Sequence, residues 1–155
     1  MIIQGLTLNG GLELDPPIVI LSKFVAGGYN ANGKGAAYVY NLDGTNEQKI
    51  TASDGASGDT FSYSVAMSGT KVVVGAPYSD EAGRSSGSVY VYNLDGTSEQ
   101  KITASDAAGS DTFGYSVAIN EDKVIVGAYG NDDAASASGS VYVYNLDGTG
   151  EVKIT

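Results

Sequence analysis

Four aspartates that recur in phase are the residues of this chain best suited to chemistry. Asp54 and Asp59 precede one phenylalanine, and Asp106 and Asp111 precede another in the same order. Two carboxylates can act as an acid and a base, as they do in glycosidases. A catalytic pair is normally unique, so repetition favours turn-forming carboxylates that accept bonds from backbone N–H groups. We therefore expect that the protein is not an enzyme. A carbohydrate-active enzyme is kept as the second alternative, after an adhesin.

A second set of side chains suits contact with a partner. Three loops of dissimilar sequence, 28–35, 77–87 and 129–139, each carry a tyrosine at or near their start. Loops on a rigid scaffold often carry recognition, and tyrosine combines a rigid ring with a polar tip. The candidate binding residues are Tyr29, Asn30, Tyr78, Asp80, Glu81, Arg84, Tyr129, Asp132 and Asp133. The alternative is that the tyrosines only cap strands and the acids form a solvated surface.

The composition excludes several classes of function. The net charge of −10 predicts repulsion of nucleic-acid phosphates, so we expect no nucleic-acid partner. The chain has no cysteine and no histidine, which removes disulfides, thiolate metal sites and the commonest general base. No apolar stretch is long enough to cross a bilayer, so we expect no membrane insertion. The start of the chain does not resemble a secretory signal.

A tandem repeat organises most of the chain. The segment VYVYNLDGT occurs at 89–97 and again at 141–149, and 37–45 is nearly a third copy. Asn41, Asn93 and Asn145 are spaced by 52 residues, the difference between 41 and 93 and between 93 and 145. A fixed period of this size indicates one supersecondary unit copied in tandem.

The middle copy predicts four short strands separated by turns. These are 61–67 (FSYSVAM), 71–76 (KVVVGA), 88–93 (SVYVYN) and 100–104 (QKITA), the last an outer edge strand. Alternation along the first strand predicts Phe61, Tyr63 and Val65 on one side. Gly75 lies near the end of the second strand, and we expect another backbone segment to come close to it. No segment has sustained helical periodicity, so almost no α-helix is expected.

Four strands in a unit of about 50 residues are typical of a β-propeller blade. The predicted fold is therefore all-β, with three four-stranded antiparallel blades at 18–51, 52–103 and 104–155, the first degenerate. Residues 1–17 have no counterpart in the other units and are interpreted as a docking or capping segment. Three blades leave an incomplete ring, so we expect association with other chains, as a homo-oligomer or a larger assembly.

The repeat resembles a known family. Residues 113–118 (FGYSVA) followed by 126–128 (VGA), and 61–66 (FSYSVA) followed by 74–77 (VGAP), are similar to the FG-GAP repeat of the bacterial and viral subtype. The resemblance covers about 22–155. It implies a β-propeller, as in the heads of integrin α chains, and a role in adhesion and recognition. A few family members are parts of enzymes.

Calcium-binding members of that family carry a loop like D-x-D-x-D-G between the first two strands. Here the corresponding turns are Ser68-Gly69-Thr70 and Asn120-Glu121-Asp122. They are too short and too poor in carboxylates to surround a calcium ion. We expect no cofactor and no metal site. Weak calcium binding by the acidic loops has no support from these turns.

The expected function is that of a non-enzymatic structural and recognition module. An adhesion-type repeat beside the lack of an export signal favours a phage virion component, such as a tail or capsid-attached protein, located in the virion. Its partners would be other protein chains and a glycan or protein of the host surface. The alternative is a bacterial surface or secreted adhesin, located at the cell surface or outside the cell.

Overall fold

The structure is a computed structural model that describes residues 23–155 apart from 134, 136 and 137. Its described residues form three antiparallel sheets and a single turn of 3-10 helix at Ala31–Gly33, without α-helix. The all-β prediction is therefore confirmed. No helix in this part of the chain is long and apolar enough to span a membrane. The predicted docking segment 1–17 lies outside the described residues.

The strands follow the chain order in each sheet. Sheet 1 contains β1 (Lys23–Gly28), β2 (Ala36–Asn41) and β3 (Gln48–Ile50). Sheet 2 contains β4 (Ser64–Ser68), β5 (Lys71–Ala76), β6 (Ser88–Asn93) and β7 (Gln100–Ile102). Sheet 3 contains β8 (Phe113–Ile119), β9 (Lys123–Ala128), β10 (Ser140–Asn145) and β11 (Val152–Ile154). The last strand of each sheet is an edge strand, as predicted for the polar fourth run.

The two middle strands of sheet 2 alternate residues between two apolar faces. We call the side with Val73, Val89, Val91 and Ile102 the valine face, and the side with Val72, Val74, Tyr90 and Tyr92 the tyrosine face. Every one of these side chains is buried. Burial on both sides explains the run of three valines in β5, which a strand with one solvated face would not carry.

The three sheets pack face to face through the same two surfaces. The valine face of sheet 1, formed by Val25, Ala37, Val39 and Ile50, packs on the tyrosine face of sheet 2. The valine face of sheet 2 packs on the tyrosine face of sheet 3. That face of sheet 3 carries Val124, Val126, Tyr142 and Tyr144. The second interface therefore repeats the first, as expected when each repeat contacts its neighbours in one way.

A glycine in β5 allows sheets 2 and 3 to approach each other closely. A Cβ placed on Gly75 of β5 would lie 2.1 Å from the carbonyl oxygen of Gly114 in sheet 3. The Ser64 hydroxyl donates a hydrogen bond to that same oxygen at 2.8 Å. The prediction that another backbone comes close to Gly75 is confirmed. Any side chain there would push sheets 2 and 3 apart.

Side-chain bonds fix the hairpin between the last two strands of each sheet. In the turn of sheet 2, Asp95 accepts bonds from the backbone N–H of Thr97 at 3.0 Å and from its hydroxyl at 2.6 Å. These bonds lower the pKa of Asp95. Asp43 and Asp147 bind Thr45 and Thr149 in the same way. The near identity of the NLDGT segments therefore has a structural cause.

Candidate functional site

The segment before β4 sends one aromatic ring into the core and the next to the surface. Phe61 is buried and its ring lies edge-on 5.4 Å from that of Tyr90. Ser62, which follows it, has a positive φ of 70°, and the next residue is the exposed Tyr63. The left-handed residue breaks the alternation of a strand. The prediction of a strand from Phe61 with Phe61 and Tyr63 on one side is therefore wrong, and β4 begins at Ser64.

Sheet 3 repeats this arrangement within a strand. Phe113 is buried against Tyr142, Gly114 has a φ of 89°, and Tyr115 is exposed. The pairing of β8 with β9 shifts register between Phe113 and Ser116. A β-bulge of this kind redirects a side chain. Here it turns Tyr115 to the same side as Tyr63, whose ring centroid lies 5.0 Å away.

Five tyrosines join into one continuous surface, which we call the tyrosine row: Tyr29, Tyr63, Tyr78, Tyr115 and Tyr129. Tyr63 lies at its centre, with ring centroids 6.0 Å from Tyr29 and 6.0 Å from Tyr78. Tyr115 continues the row to Tyr129 at 5.2 Å. These distances are in the range of favourable aromatic pairs. The row therefore crosses all three sheets.

The row is open to solvent along its length. Its members are 37% to 67% exposed, and Tyr129 at one end is the most exposed. The neighbouring phenol of Tyr115 raises the pKa of Tyr63 to about 12, with smaller contributions from lost solvent and from Tyr78 and Tyr29. The ring of Tyr63 thus stays uncharged at neutral pH. An exposed, contiguous and uncharged aromatic surface is a candidate contact site.

The loops place three of the nine predicted binding residues in this row, namely Tyr29, Tyr78 and Tyr129. Two others support loop conformation. Asn30 begins the 3-10 turn, where its carbonyl accepts the N–H of Gly33 at 3.2 Å. Asp80 accepts the backbone N–H of Ser85 at 2.7 Å.

Two of the predicted acidic residues form ion pairs within their sheets. Glu81 lies 2.7 Å from the ammonium of Lys101 on β7. Asp133 contacts Lys153 on β11 in the same way. Arg84 and Asp132 are exposed, and neither forms an ion pair with any described side chain. The charged loop residues therefore lie in several places and do not form one cluster with the tyrosines.

The recurrent aspartates have two different roles. Asp59 and Asp111 accept the backbone N–H of Ala56 and Ala108, each at 2.8 Å, as predicted for turn-forming residues. For Asp54 and Asp106 that prediction is wrong, because their carboxylates bind side chains of the next sheet.

Asp54 shows this long-range contact clearly. It lies in the loop after β3, where it accepts the ammonium of Lys101 at 2.6 Å and the hydroxyl of Tyr90 at 2.9 Å. Burial alone would raise the pKa of Asp54, but the bonds from Lys101 and Tyr90 outweigh it and lower the pKa. Asp106 repeats the contact with Lys153 and Tyr142. Ionised, lysine-paired carboxylates are poorly suited to act as general acids, which need a raised pKa.

The preceding serine adds two further hydrogen bonds between the same loop and the next sheet. Ser53 donates its backbone N–H and its hydroxyl to Glu99 at 3.0 and 2.7 Å. Ser105 and Glu151 repeat this pair with the same two distances. We call each Ser-Asp loop with its glutamate and lysine a clasp. The clasps tie sheet 1 to sheet 2 and sheet 2 to sheet 3.

Within the described part of the chain, no three acidic side chains are placed to hold a metal ion. A cavity of about 260 Å³ lies beside sheet 1, lined among others by Lys34, Lys49 and Ser53. None of the row tyrosines lines it. The tyrosine row is therefore separate from this cavity and lies on the open surface of the described structure.

Sequence reasoning missed Tyr63 and Tyr115, the two residues that connect the row. Both occur as Phe-x-Tyr with serine or glycine between the aromatic residues. A glycine before Tyr115 was the available signal, because glycine tolerates the positive φ that reverses the side of the next residue. The spacing alone could not show that the row would be continuous.

The comparison with known families finds two matches whose starts, 45 and 97, differ by 52 residues, the period of the repeat. The FG-GAP repeat model matches residues 45–92 and 97–144, which together are more than half of the chain. The chain belongs to the FG-GAP repeat family. A search of curated proteins returned no match. FG-GAP repeats are generally non-catalytic and indicate a recognition or adhesion module.

Proposed function

We propose that this FG-GAP protein binds a surface glycan or protein through the tyrosine row. The observation that supports this is the contact chain from Tyr29 through Tyr63 and Tyr115 to Tyr129, exposed over three sheets. Each ring is held by a neighbour, so binding would cost little additional side-chain entropy. Rigid aromatic rings with polar tips dominate contact energies at protein interfaces.

The tandem repeat explains why the tyrosines lie in a row. One tyrosine follows each of the in-phase strands β1, β5 and β9, and the Phe-x-Tyr segments add another between neighbouring sheets. An extended partner would therefore meet similar rings in sequence along its length. Such binding gains from several modest contacts held on one chain.

Replacement of the two central tyrosines tests this proposal. The double variant Tyr63→Ser and Tyr115→Ser should lose binding by at least about tenfold, because about 1.4 kcal/mol corresponds to a factor of ten and contact aromatics often exceed that value. The probes are a printed array of neutral and amino-sugar oligosaccharides, and intact bacterial cells measured by sedimentation of labelled protein.

The matched control is the variant Tyr63→Phe and Tyr115→Phe, which retains both rings. It should keep most of the binding. A ligand held equally well by the serine variant would show that the tyrosine row is not the binding surface. Circular dichroism of each variant verifies that the sheets remain folded.

The repeat architecture also supports a proposal about how the three sheets are arranged. We propose that the stacked sheets are blades of a β-propeller, since four-stranded units of this length are typical of blades.

The proposed setting is a phage virion, where the partners would be other virion chains and the host surface, with a bacterial surface or secreted adhesin as the alternative. The likeness of the repeats to the bacterial and viral subtype supports this setting. A gene neighbourhood of virion genes, or a longer frame with an export signal, distinguishes the two.

A further inference from the structure

Sheets 1 and 3 lie at the two ends of the stack. Each exposes one face whose counterpart is buried where two sheets meet inside the stack. On the valine face, Val89 and Ile102 of sheet 2 are 0% and 3% exposed. Their counterparts on sheet 3, Val141 and Ile154, are 40% and 57% exposed. The same residue types occupy the same positions, so the difference comes only from the missing neighbour. Among the described residues, the valine face of sheet 3 is therefore left uncovered.

Sheet 1 exposes the complementary surface. Its tyrosine face carries Phe24, Tyr38 and Tyr40, with Leu42 in the following turn. Phe24 is 39% exposed, whereas its in-phase counterpart Val72 is fully buried in sheet 2. Leu42 is 67% exposed, whereas Leu94 packs on the core between sheets 1 and 2. This face therefore carries apolar residues at the positions that receive a valine face in sheet 2.

The polar part of the clasp is also incomplete at sheet 1. Glu47 and Lys49 occupy the positions of Glu99 and Lys101. Among the described residues, Glu47 accepts only the hydroxyl of Tyr40, at 2.7 Å, and Lys49 has no ion pair. In sheet 2 the corresponding groups bind the loop that leaves the preceding sheet. Sheet 1 therefore presents a clasp that is open on its outer side.

We propose that the valine face of sheet 3 binds the tyrosine face of sheet 1 of a second copy of this chain, head to tail. The argument is continuity, because the contact would repeat the two interfaces already formed within one chain. A contact between two different faces is heterologous and closes when the rotation permits. Two copies bring six sheets together, which lies in the range of roughly four to eight blades of closed propellers.

Two single variants remove one face each without touching the folded interior. Ile154→Lys changes the valine face and Leu42→Lys changes the tyrosine face, and both side chains are mostly exposed in the single chain. Burying an unpaired ammonium in an apolar interface is costly. Each variant should raise the dissociation constant of the dimer by about tenfold or more, as measured by analytical ultracentrifugation over a concentration series. The matched control is Glu121→Lys, a change in an exposed turn outside both faces.

Mixing the two variants determines the direction of the contact. Each variant retains one intact face, so an equimolar mixture should dimerise through one intact interface, and more strongly than either variant alone. A symmetric contact of like faces would instead leave one variant dimeric by itself, and would overturn the proposal. A wild-type chain that is monomeric at every concentration would also overturn it, and would assign the exposed faces to a different segment or protein.

Discussion

At the residue scale, a single left-handed residue separates the core from the candidate binding site. Phe61 and Tyr63 are two positions apart, and a regular strand would place them on one side. The positive φ of Ser62 places one ring in the core and the other in the tyrosine row. Ser62 also donates its hydroxyl to the carbonyl of Ala36 at 2.8 Å, which holds the turn against sheet 1. One local conformation thus places one ring in the core and the other in the candidate binding site.

Contact within the row should be detectable in the ionisation of Tyr63. Tyr115 is the largest cause of the rise in the pKa of Tyr63 to about 12, so Tyr115→Phe should lower that pKa part of the way towards 10.0. The measurement is a pH titration of tyrosine ring signals by NMR, with Tyr63 assigned from its loss in Tyr63→Phe. As a control, Tyr38→Phe should leave the titration of Tyr63 unchanged. A pKa of Tyr63 that is the same with and without the Tyr115 hydroxyl would contradict the contact.

At the element scale, sequence periodicity predicted the strands well where both faces are buried. The valine-rich 71–76 and the valine-tyrosine alternation of 88–93 gave β5 and β6 with their observed bounds. The prediction was wrong at Phe61, because the backbone reversal occurs at a serine with no obvious turn signal.

The clasp of Asp54 was missed for a different physical reason. Its lysine partner is 47 positions away and lies in another sheet. Local turn propensity could not show that contact. The contacts of the nine predicted loop residues could not be predicted for the same reason. Three of these residues join the tyrosine row, and others form separate ion pairs or loop bonds.

The clasps should make folding sensitive to acid. The pKa of Asp54 and that of Asp106 lie below the ordinary value of 3.8, so the unfolded chain binds protons more readily near and below that pH. Their contribution to stability is therefore fully present above the ordinary pKa and is lost as pH falls through the lowered pKa. Urea unfolding across acidic pH should show a smaller loss of stability for the variant Asp54→Asn and Asp106→Asn. A curve for this variant with the slope of the wild type would contradict the role of the clasps.

At the scale of the whole molecule, stability should depend on neighbouring sheets. Sheets 2 and 3 have nearly the same sequence, but the valine face of sheet 2 is covered and that of sheet 3 is exposed. In repeat proteins, stability is roughly a sum of unit terms and nearest-neighbour interfaces. The chain therefore offers one residue type in two environments that differ only by the presence of a neighbour.

Ile102→Ala and Ile154→Ala compare these environments directly. Ile102 is 3% exposed, so its truncation leaves a cavity between sheets 2 and 3 and should cost about 2–5 kcal/mol of unfolding free energy. Ile154 is 57% exposed, so the same change in dilute protein should cost less than about 1 kcal/mol. Denaturant unfolding at low protein concentration measures both costs. At concentrations where copies associate, Ile154→Ala should become more costly while the cost of Ile102→Ala stays the same, because only the outer face gains a neighbour. Equal costs at both positions in dilute protein would contradict the stacking of sheet 3 on sheet 2 through one face.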